Sequence, residues 1–310
     1  MPRAEKIEEL TVNFSTFCNF QCKECMRPFP KEKAFLAMGT EGKLDPKSVE
    51  NLLSAIGKNT RVTITGGGEP TLHPFFHELV DAIANGKEKP REIVIVTNGT
   101  PFTTKGSTRD FLTRLKEVIS GDTKFRVSMS IDDNHSYGTL GVYEKEGKWP
   151  ERITAAQNFH CVARELGISH GFNSNLTRDQ INAKYGKKIW KAIAPSRGEA
   201  GPSFDIWEIL EGLPKERMHI SKLTKETRKG ILHTISESLH ATPRNPRFSP
   251  LSTACVDATG EVYHNAPSYF FQNIVMEKTK GMEGPIGNIH HKPLLDLLTQ
   301  HGSWSQRAKA

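Results

Sequence analysis

The chain has 310 residues, 36% of them hydrophobic and 25% charged, the composition of a globular protein with one large domain, or one domain plus an extension. No segment reaches the roughly 20 apolar residues of a membrane span, and the beginning of the chain lacks an apolar signal core, so we expect a cytoplasmic protein. The net charge of +7 favours anionic partners, although solvated lysines on outer helices would explain the same excess. No basic run carries interleaved aromatic residues, which argues against nucleic acid as a partner.

Strand-like and helix-like segments alternate along the first two thirds of the chain, which is typical of parallel βα units. Predicted strands cover residues 10–15, 61–65, 92–97, 124–132, 168–175 and 204–210. Predicted helices cover the segments around 46–56, 75–83, 111–119, 151–166 and 177–194. This alternation predicts an α/β fold, a partial (β/α)6 barrel of the TIM type.

The predicted fourth strand separates apolar from polar side chains on its two faces. One face carries Phe125, Val127, Met129 and Ile131, and the other carries Arg126, Ser128, Ser130 and Asp132. In a βα barrel the helices cover the apolar outer face, so the polar side chains should point into the lumen. A closed eight-stranded barrel fills its lumen with branched apolar side chains, so a polar lumen favours an open barrel around a polar ligand. An ordinary half-exposed sheet is the alternative, which the intervening helices disfavour.

Three cysteines, Cys18, Cys22 and Cys25, follow the first predicted strand in a C-x3-C-x2-C spacing. Thiolates this close in sequence can hold one metal centre on a single loop, and iron–sulfur clusters prefer such soft ligands. A cubane cluster of four irons held by three cysteines keeps one iron open. A structural zinc site needs a fourth ligand nearby, yet no Cys or His lies between Cys25 and His73. The spacing therefore favours an iron–sulfur cluster over zinc.

A glycine run, Gly66-Gly67-Gly68 followed by Glu69, lies at the carboxyl end of the second predicted strand. Glycines there let a ligand approach the backbone closely, and free carbonyls can accept a hydrogen bond from an ammonium group. A simple strand-to-helix turn is the alternative for the run taken alone. The cysteine spacing and the glycine run, in this order and on these elements, resemble the radical S-adenosylmethionine (radical SAM) superfamily.

The resemblance extends from residue 8 to about residue 225, and it implies a 4Fe–4S cluster and S-adenosylmethionine as cofactors. The implied cluster ligands are Cys18, Cys22 and Cys25. The implied cofactor-binding residues are the glycine run for the amino group (Gly66, Gly67, Gly68 and Glu69), Ser128, Ser130 and Asn175 for the ribose, and Arg178 for the carboxylate. A reductant such as flavodoxin or ferredoxin would start reductive cleavage of the cofactor. The resulting 5′-deoxyadenosyl radical would take a hydrogen atom from a small-molecule or peptide substrate.

Residues 226–310 resemble the SPASM or twitch extension that follows some radical SAM barrels. A hairpin turn is predicted around residues 258–263 and a helix around 293–298. Such extensions hold auxiliary clusters on several cysteines, but this tail contains only Cys255, so we expect a degenerate extension without a cluster, packed over the barrel mouth. The domains would then be residues 1–225 and 226–310. Cys255 could donate a hydrogen atom to a substrate radical, as a cysteine is thought to do in some superfamily epimerases, or be a small buried hydrophobe.

Two functions remain open on the sequence alone. The first is a radical SAM enzyme that acts on a small molecule, anionic if the basic excess is functional, or on a peptide. Few residues precede the first predicted strand, so we expect no separate leader-binding domain, which favours a metabolite or a peptide bound without one. The second is a metal-stabilised binding protein, with zinc or an iron–sulfur cluster, in which the cysteines only hold a loop.

Overall fold

The computed structural model describes residues 6–20, 44, 48–65, 68–119, 121–130, 149–177, 218–223, 253–263 and 285–301. Its strands are β1 (Glu9–Asn13), β2 (Arg61–Thr65), β3 (Glu92–Thr97), β4 (Lys124–Ser130), β5 (Ser169–Thr177), β6 (Met218–Leu223), β7 (Thr253–Val256), β8 (Glu261–Tyr263) and β9 (Gly287–Asn288). Its helices are α1 (Val49–Leu53), α2 (Phe76–Ala84), α3 (Lys105–Val118), α4 (Trp149–Glu165) and α5 (Leu294–His301). None of these described helices is long and apolar enough to span a membrane.

The described strands form one sheet of nine strands in the order β6-β5-β4-β3-β2-β1-β7-β8-β9. Strands β1 to β6 pair in parallel with their neighbours, and β7 pairs in parallel with β1. Strands β8 and β9 add antiparallel pairs at that end. Because β6 and β9 stand at opposite ends of this order, the sheet of the described strands is not closed. The prediction of an α/β fold with an open, partial (β/α) barrel is confirmed.

The outer face of the sheet is apolar because alternate residues of each strand meet the helices. Val12, Ile64 and Ile95 pair in register on adjacent strands and are fully buried in one continuous core. Helices α2, α3 and α4 contribute buried residues that recur at helical spacing, namely Leu79, Val80, Ile83, Leu112, Leu115, Phe159 and Val162. Phe102 stacks on Phe159 with ring centroids 4.4 Å apart, which joins the turn after β3 to α4.

The inner face carries the polar side chains, as the alternation predicts. The parallel register sets Thr11 of β1 beside Thr63 of β2, and Asn13 beside Thr65. The three threonines are partly exposed. Their outward-facing neighbours are at most 1% exposed, namely Leu10, Val12, Val62 and Ile64. The inner face of these strands therefore lines a space that solvent can enter, while the outer face is sealed.

The strand that follows β5 in the sheet is Met218–Leu223, which the sequence pattern did not indicate. Strand β5 itself continues to Thr177, where a helix was predicted to begin. The predicted strand 204–210 and the rest of the predicted helix, 178–194, lie outside the described residues. The predicted order of strands and helices therefore agrees with the structure as far as β5. The described strand that pairs with β5, β6, lies later in the sequence than the predicted strand 204–210.

The described part of the tail extends the same sheet at the edge of β1. Val12 pairs in register with Val256 of β7, and β7 leads into β8 through the predicted hairpin. The backbone N–H of Leu295 in α5 donates to Ser54 Oγ, just after α1, at 3.1 Å. Tail residues that join the barrel's own core cluster are Ala254, Val256, Val262, Ile286, Ile289, Leu294, Leu297 and Leu298. The predicted domain boundary between residues 225 and 226 lies outside the described residues.

Candidate functional site

The carboxyl ends of β1, β2 and β3 bring together Cys18, Gly68 with Glu69, and Asn98. The backbone N–H of Glu69 donates to the carbonyl oxygen of Phe17, one residue before Cys18, at 2.7 Å. A Cβ added to Gly68 would lie 2.1 Å from the same oxygen, closer than any ordinary contact. Only glycine fits at position 68, because the described part of the glycine run packs directly against the backbone that leads into the cysteine loop.

Glu69 ends the glycine run with a buried carboxylate, 2% exposed. Its Oε1 accepts hydrogen bonds from the backbone and hydroxyl of Thr71 and, at 2.7 Å, from the hydroxyl of Thr97. Its Oε2 accepts the backbone N–H of Asn98 at 2.6 Å. Burial raises the pKa of this carboxyl, and the hydrogen bonds from Thr71, Asn98 and Thr97 oppose the rise. The carboxylate ties the ends of β2 and β3 together, and Oε2 has a lone pair for one further donor.

Cys18 is buried, at 7% exposure, and two N–H groups point at its sulfur. The backbone N–H of Phe20 donates to Sγ at 3.3 Å, and the Nδ2 group of Asn98 donates at 3.6 Å. Donors in this arrangement compensate negative charge on sulfur, so they suit a thiolate or a metal-bound sulfur. By this test Cys18 fits an iron ligand. Cys22 and Cys25, the other two predicted ligands, lie outside the described residues.

Asn98 is oriented by the short 3-10 turn that follows it, Thr100–Phe102. Its side-chain oxygen accepts the backbone N–H of Thr100 at 2.9 Å and the Thr100 hydroxyl at 2.6 Å. Its Nδ2 donates to the side-chain oxygen of Asn19 at 3.0 Å as well as to Cys18. The Nδ2 of Asn19 in turn donates to the Thr100 hydroxyl at 3.0 Å. These side chains form a network between the cysteine loop and the end of β3.

The predicted ribose-binding residues lie on β4 and β5. Ser128 and Ser130 are both buried on the inner face of β4, opposite the outward-facing Val127 and Met129. Within the described part of the chain, Ser128 Oγ has no hydrogen-bond partner. Asn175 falls within β5, where it pairs in register with β6. The predicted residues Gly66, Gly67 and Arg178 lie outside the described residues.

Asn13 belongs to the same inner face but was not among the predicted site residues. It is 1% exposed, and neither its Nδ2 nor its Oδ1 has a hydrogen-bond partner among the described residues. Burying an unpartnered amide costs about 1–3 kcal/mol by mutational measurements, so proteins rarely keep one without a use. The signal that could have found it is its place on the polar side of β1, close to the carboxyl end where the cysteine loop begins.

Cys255 is fully buried on β7, in register with Thr11 of β1 on one side and Tyr263 of β8 on the other. Because partners in register face the same way, Cys255 lies on the inner face. Burial strongly raises the pKa of its thiol, and the negative charge of Asp257 adds to the rise. Cys255 therefore keeps its S–H proton at neutral pH, whereas Cys161 is an exposed thiol on α4.

Comparison with known proteins identifies a family and a set of similar folds. The family model for the radical SAM superfamily matches residues 12–175, which is more than half of the chain. A structure of native anSMEcpe with bound AdoMet is 15% identical, with a TM-score of 0.54 over 93% of this chain and 80% of that chain. The same protein with AdoMet and the Cp18Cys peptide is 14% identical, with a TM-score of 0.53 over 93% and 79%.

A third similar structure, BtrN in complex with AdoMet and 2-DOIA, is 17% identical, with a TM-score of 0.44 over 98% of this chain and 87% of that chain. Identities at this level show a shared fold alone, and the TM-score for BtrN is too low to support an argument. No curated protein sequence matches the chain.

Proposed function

The chain belongs to the radical SAM superfamily, and on that premise we propose that this enzyme cleaves S-adenosylmethionine reductively at a 4Fe–4S cluster and then removes a hydrogen atom from a small molecule or peptide. The observation that carries the proposal is the contact of Gly68 and Glu69 with the backbone one residue before Cys18. The described residues of the two motifs that would hold the cofactor and the cluster are thus neighbours in space, as a reaction between the two groups requires.

Three thiolates would hold the cluster, those of Cys18, Cys22 and Cys25. When bound, the cluster would supply one electron from a flavodoxin or ferredoxin to the cofactor, and the cofactor would supply the carbon radical that attacks the substrate. The described ligand supports this assignment because Cys18 is buried and receives two N–H donors at its sulfur. Burial also keeps water away from that sulfur.

The amino group of the cofactor would be held by the glycine run. Glu69 Oε2 accepts only one hydrogen bond from the described residues, that of Asn98, so an ammonium group can be its second donor. Gly66 and Gly67 would add backbone carbonyls. Ser128, Ser130 and Asn175 would bind the ribose, and Arg178 the carboxylate. The unpartnered hydroxyl of Ser128 supports its part in this set.

Cys255 would be the hydrogen donor that completes the reaction when the substrate radical is quenched by a hydrogen atom, as in an epimerisation. In this step the S–H bond breaks, and the hydrogen atom with one electron forms a C–H bond at the substrate radical. A thiyl radical remains, and one electron from the reductant and one proton restore the thiol. The raised pKa supports this role, since a thiolate has no hydrogen atom to give.

A peptide remains one candidate substrate because anSMEcpe, which shares the fold, is described with a bound peptide. A small molecule is the other. The net charge of +7 makes an anionic substrate of either class compatible with the chain.

The test is anaerobic reconstitution with iron and sulfide, followed by an iron count and a measurement of 5′-deoxyadenosine after reduction with cofactor present. We expect about four irons per chain, as one cubane requires, and cofactor cleavage. Cys18→Ala should lose both, whereas Cys161→Ala, which removes an exposed thiol on α4, should keep both. A colourless protein that binds zinc with high affinity and cleaves no cofactor would support the alternative, a metal-stabilised binding protein.

A further inference from the structure

We propose that Asn98 is a positioning residue that raises the reduction potential of the cluster through the hydrogen bond from its Nδ2 to Cys18 Sγ. The inference rests on the proposed function, because it takes Cys18 as a cluster ligand. The N···S distance is 3.6 Å, and both side chains are 7% exposed. The two residues are 80 positions apart in sequence, so the contact exists only because β1 and β3 end at the same edge of the sheet.

The orientation of the Asn98 amide follows from its other contacts. The backbone N–H of Thr100 can only donate, so the Asn98 atom 2.9 Å from it must be the oxygen. The opposite atom is then the nitrogen, and its two hydrogens have two acceptors, Asn19 Oδ1 at 3.0 Å and Cys18 Sγ. An amide turned the other way would place its oxygen against the side-chain oxygen of Asn19. The N–H is therefore directed at the sulfur.

A hydrogen bond to a ligand sulfur affects the two redox states of a cluster unequally. Reduction adds one negative charge, which is shared by the cluster and its sulfur ligands, so a donor stabilises the reduced state more than the oxidised state. Burial increases the difference because the local dielectric constant is low. Loss of the Asn98 side chain should therefore make the cluster harder to reduce.

Changing the side chain of Asn98 removes its hydrogen bonds to Thr100 and Asn19 as well as the N–H···S contact, but it leaves the links through backbone groups in place. Asn98 is bound to Glu69 through its backbone N–H, which a substitution leaves in place. Cys18 Sγ also keeps the backbone N–H of Phe20 at 3.3 Å. Asn98→Leu removes the amide donor at similar volume, so an unchanged potential would show that the N–H···S contact does not tune the cluster. Because the variant also loses the links to Thr100 and Asn19, a second measurement on the unchanged chain tests the contact itself.

The matched control is Asn158→Leu. Asn158 is also 7% exposed, and its Nδ2 donates to the carbonyls of Phe102 and Thr103, both at 3.2 Å. Its loss should destabilise the protein as any lost buried amide does, but it lies on α4 and has no contact with Cys18 in the described structure. A general loss of stability would affect both variants, whereas a change of potential should occur only in Asn98→Leu.

The experiment is an anaerobic redox titration of the reconstituted full chain without S-adenosylmethionine, with the reduced cluster followed by electron paramagnetic resonance. We expect Asn98→Leu to lower the equilibrium constant of reduction about tenfold, which is a fall of about 59 mV for one electron. Asn158→Leu should titrate like the wild type. Equal potentials for wild type and Asn98→Leu would overturn the proposal while leaving the proposed function intact. A wild type that binds no cluster would overturn the proposed function itself.

A second measurement uses the unchanged chain in case Asn98→Leu fails to assemble its cluster. Wild type grown with asparagine labelled with 15N at the side-chain amide alone should show a 15N hyperfine coupling to the reduced cluster. The coupling should persist in labelled Asn158→Leu and in labelled Asn19→Gln, which excludes those two amides as its source and leaves the Asn98 amide that donates to Cys18 Sγ. A spectrum without any 15N coupling would overturn the inference, because the amide would then lie outside the spin density of the cluster.

Discussion

Replacing Asn13 with leucine should stabilise the protein, although it changes a fully buried residue of a central strand. The amide is 1% exposed, and both of its polar atoms lack hydrogen-bond partners in the part of the chain that the structure describes. Removing an unsatisfied buried amide should recover about 1–3 kcal/mol. Refitting a branched side chain of similar volume should cost less than about 1.5 kcal/mol. We therefore expect a net gain of about 1 kcal/mol, or about 2–4 °C in Tm for a domain of this size.

The assay is thermal and urea denaturation of the reconstituted protein without cofactor or substrate. Asn158→Leu is the matched control, because its amide is buried but donates to two carbonyls. It should lose about 1–3 kcal/mol, since those carbonyls lose their donor. Opposite signs for the two variants would show that Asn13 is kept at the expense of stability, as residues that serve a ligand often are. Equal losses would refute the reasoning, because the Asn13 amide would then have a partner, such as a bound water.

Three further predictions use other features of the site. Gly68→Ala should lower the free energy of unfolding by about 3 kcal/mol or more, because its Cβ would meet the Phe17 carbonyl. The control is Gly106→Ala near the start of α3, where the nearest atom to an added Cβ, Thr104 Oγ1, is 3.8 Å away. This variant should raise the free energy of unfolding by about 0.5–1 kcal/mol in the same thermal assay. Iodoacetamide should modify the exposed Cys161 in the folded protein but reach the buried Cys255 only after unfolding, as mass spectrometry of the peptides would show. Equal rates of modification of the two thiols in the folded protein would contradict the burial of Cys255. Cys255→Ala should hold about four irons per chain and cleave the cofactor, yet fail to complete a product that needs a hydrogen atom from this thiol. An iron count of about eight in the wild type would instead reveal an auxiliary cluster.

The barrel could be predicted from the sequence wherever a strand is apolar on one side and bounded by turn residues. Strands β2 and β3 begin and end at the predicted residues, because Val, Ile and Thr runs there are followed by Gly66 and by Asn98-Gly99. Strand β6 was missed because His219, Ser221 and Lys222 interrupt its short apolar pattern. The segment forms a strand because it pairs with β5, although its composition does not favour one.

The candidate site was predictable in its motifs but not in its contacts. Cys18 and the glycine run stand out because their spacing is local. The link from Asn98 to Cys18 joins residues from different strands, and only the parallel register of β1, β2 and β3 brings them together. Asn13 is ordinary as a polar residue on a strand and becomes informative only when its lack of partners is visible.

The pairing of β7 with β1 has a consequence for the order in which the chain folds. Among the described strands, β1 has only β2 beside it until Val256 has been synthesised, and its other edge would then present unpaired N–H and C=O groups. A contact that joins the two ends of a long chain forms late, because the entropy of closing so large a loop must first be overcome. The strand that carries the cysteine loop is thus the last of the central strands to be completed. Nascent chains that stop short of β7 should therefore aggregate through that open edge and depend on chaperones.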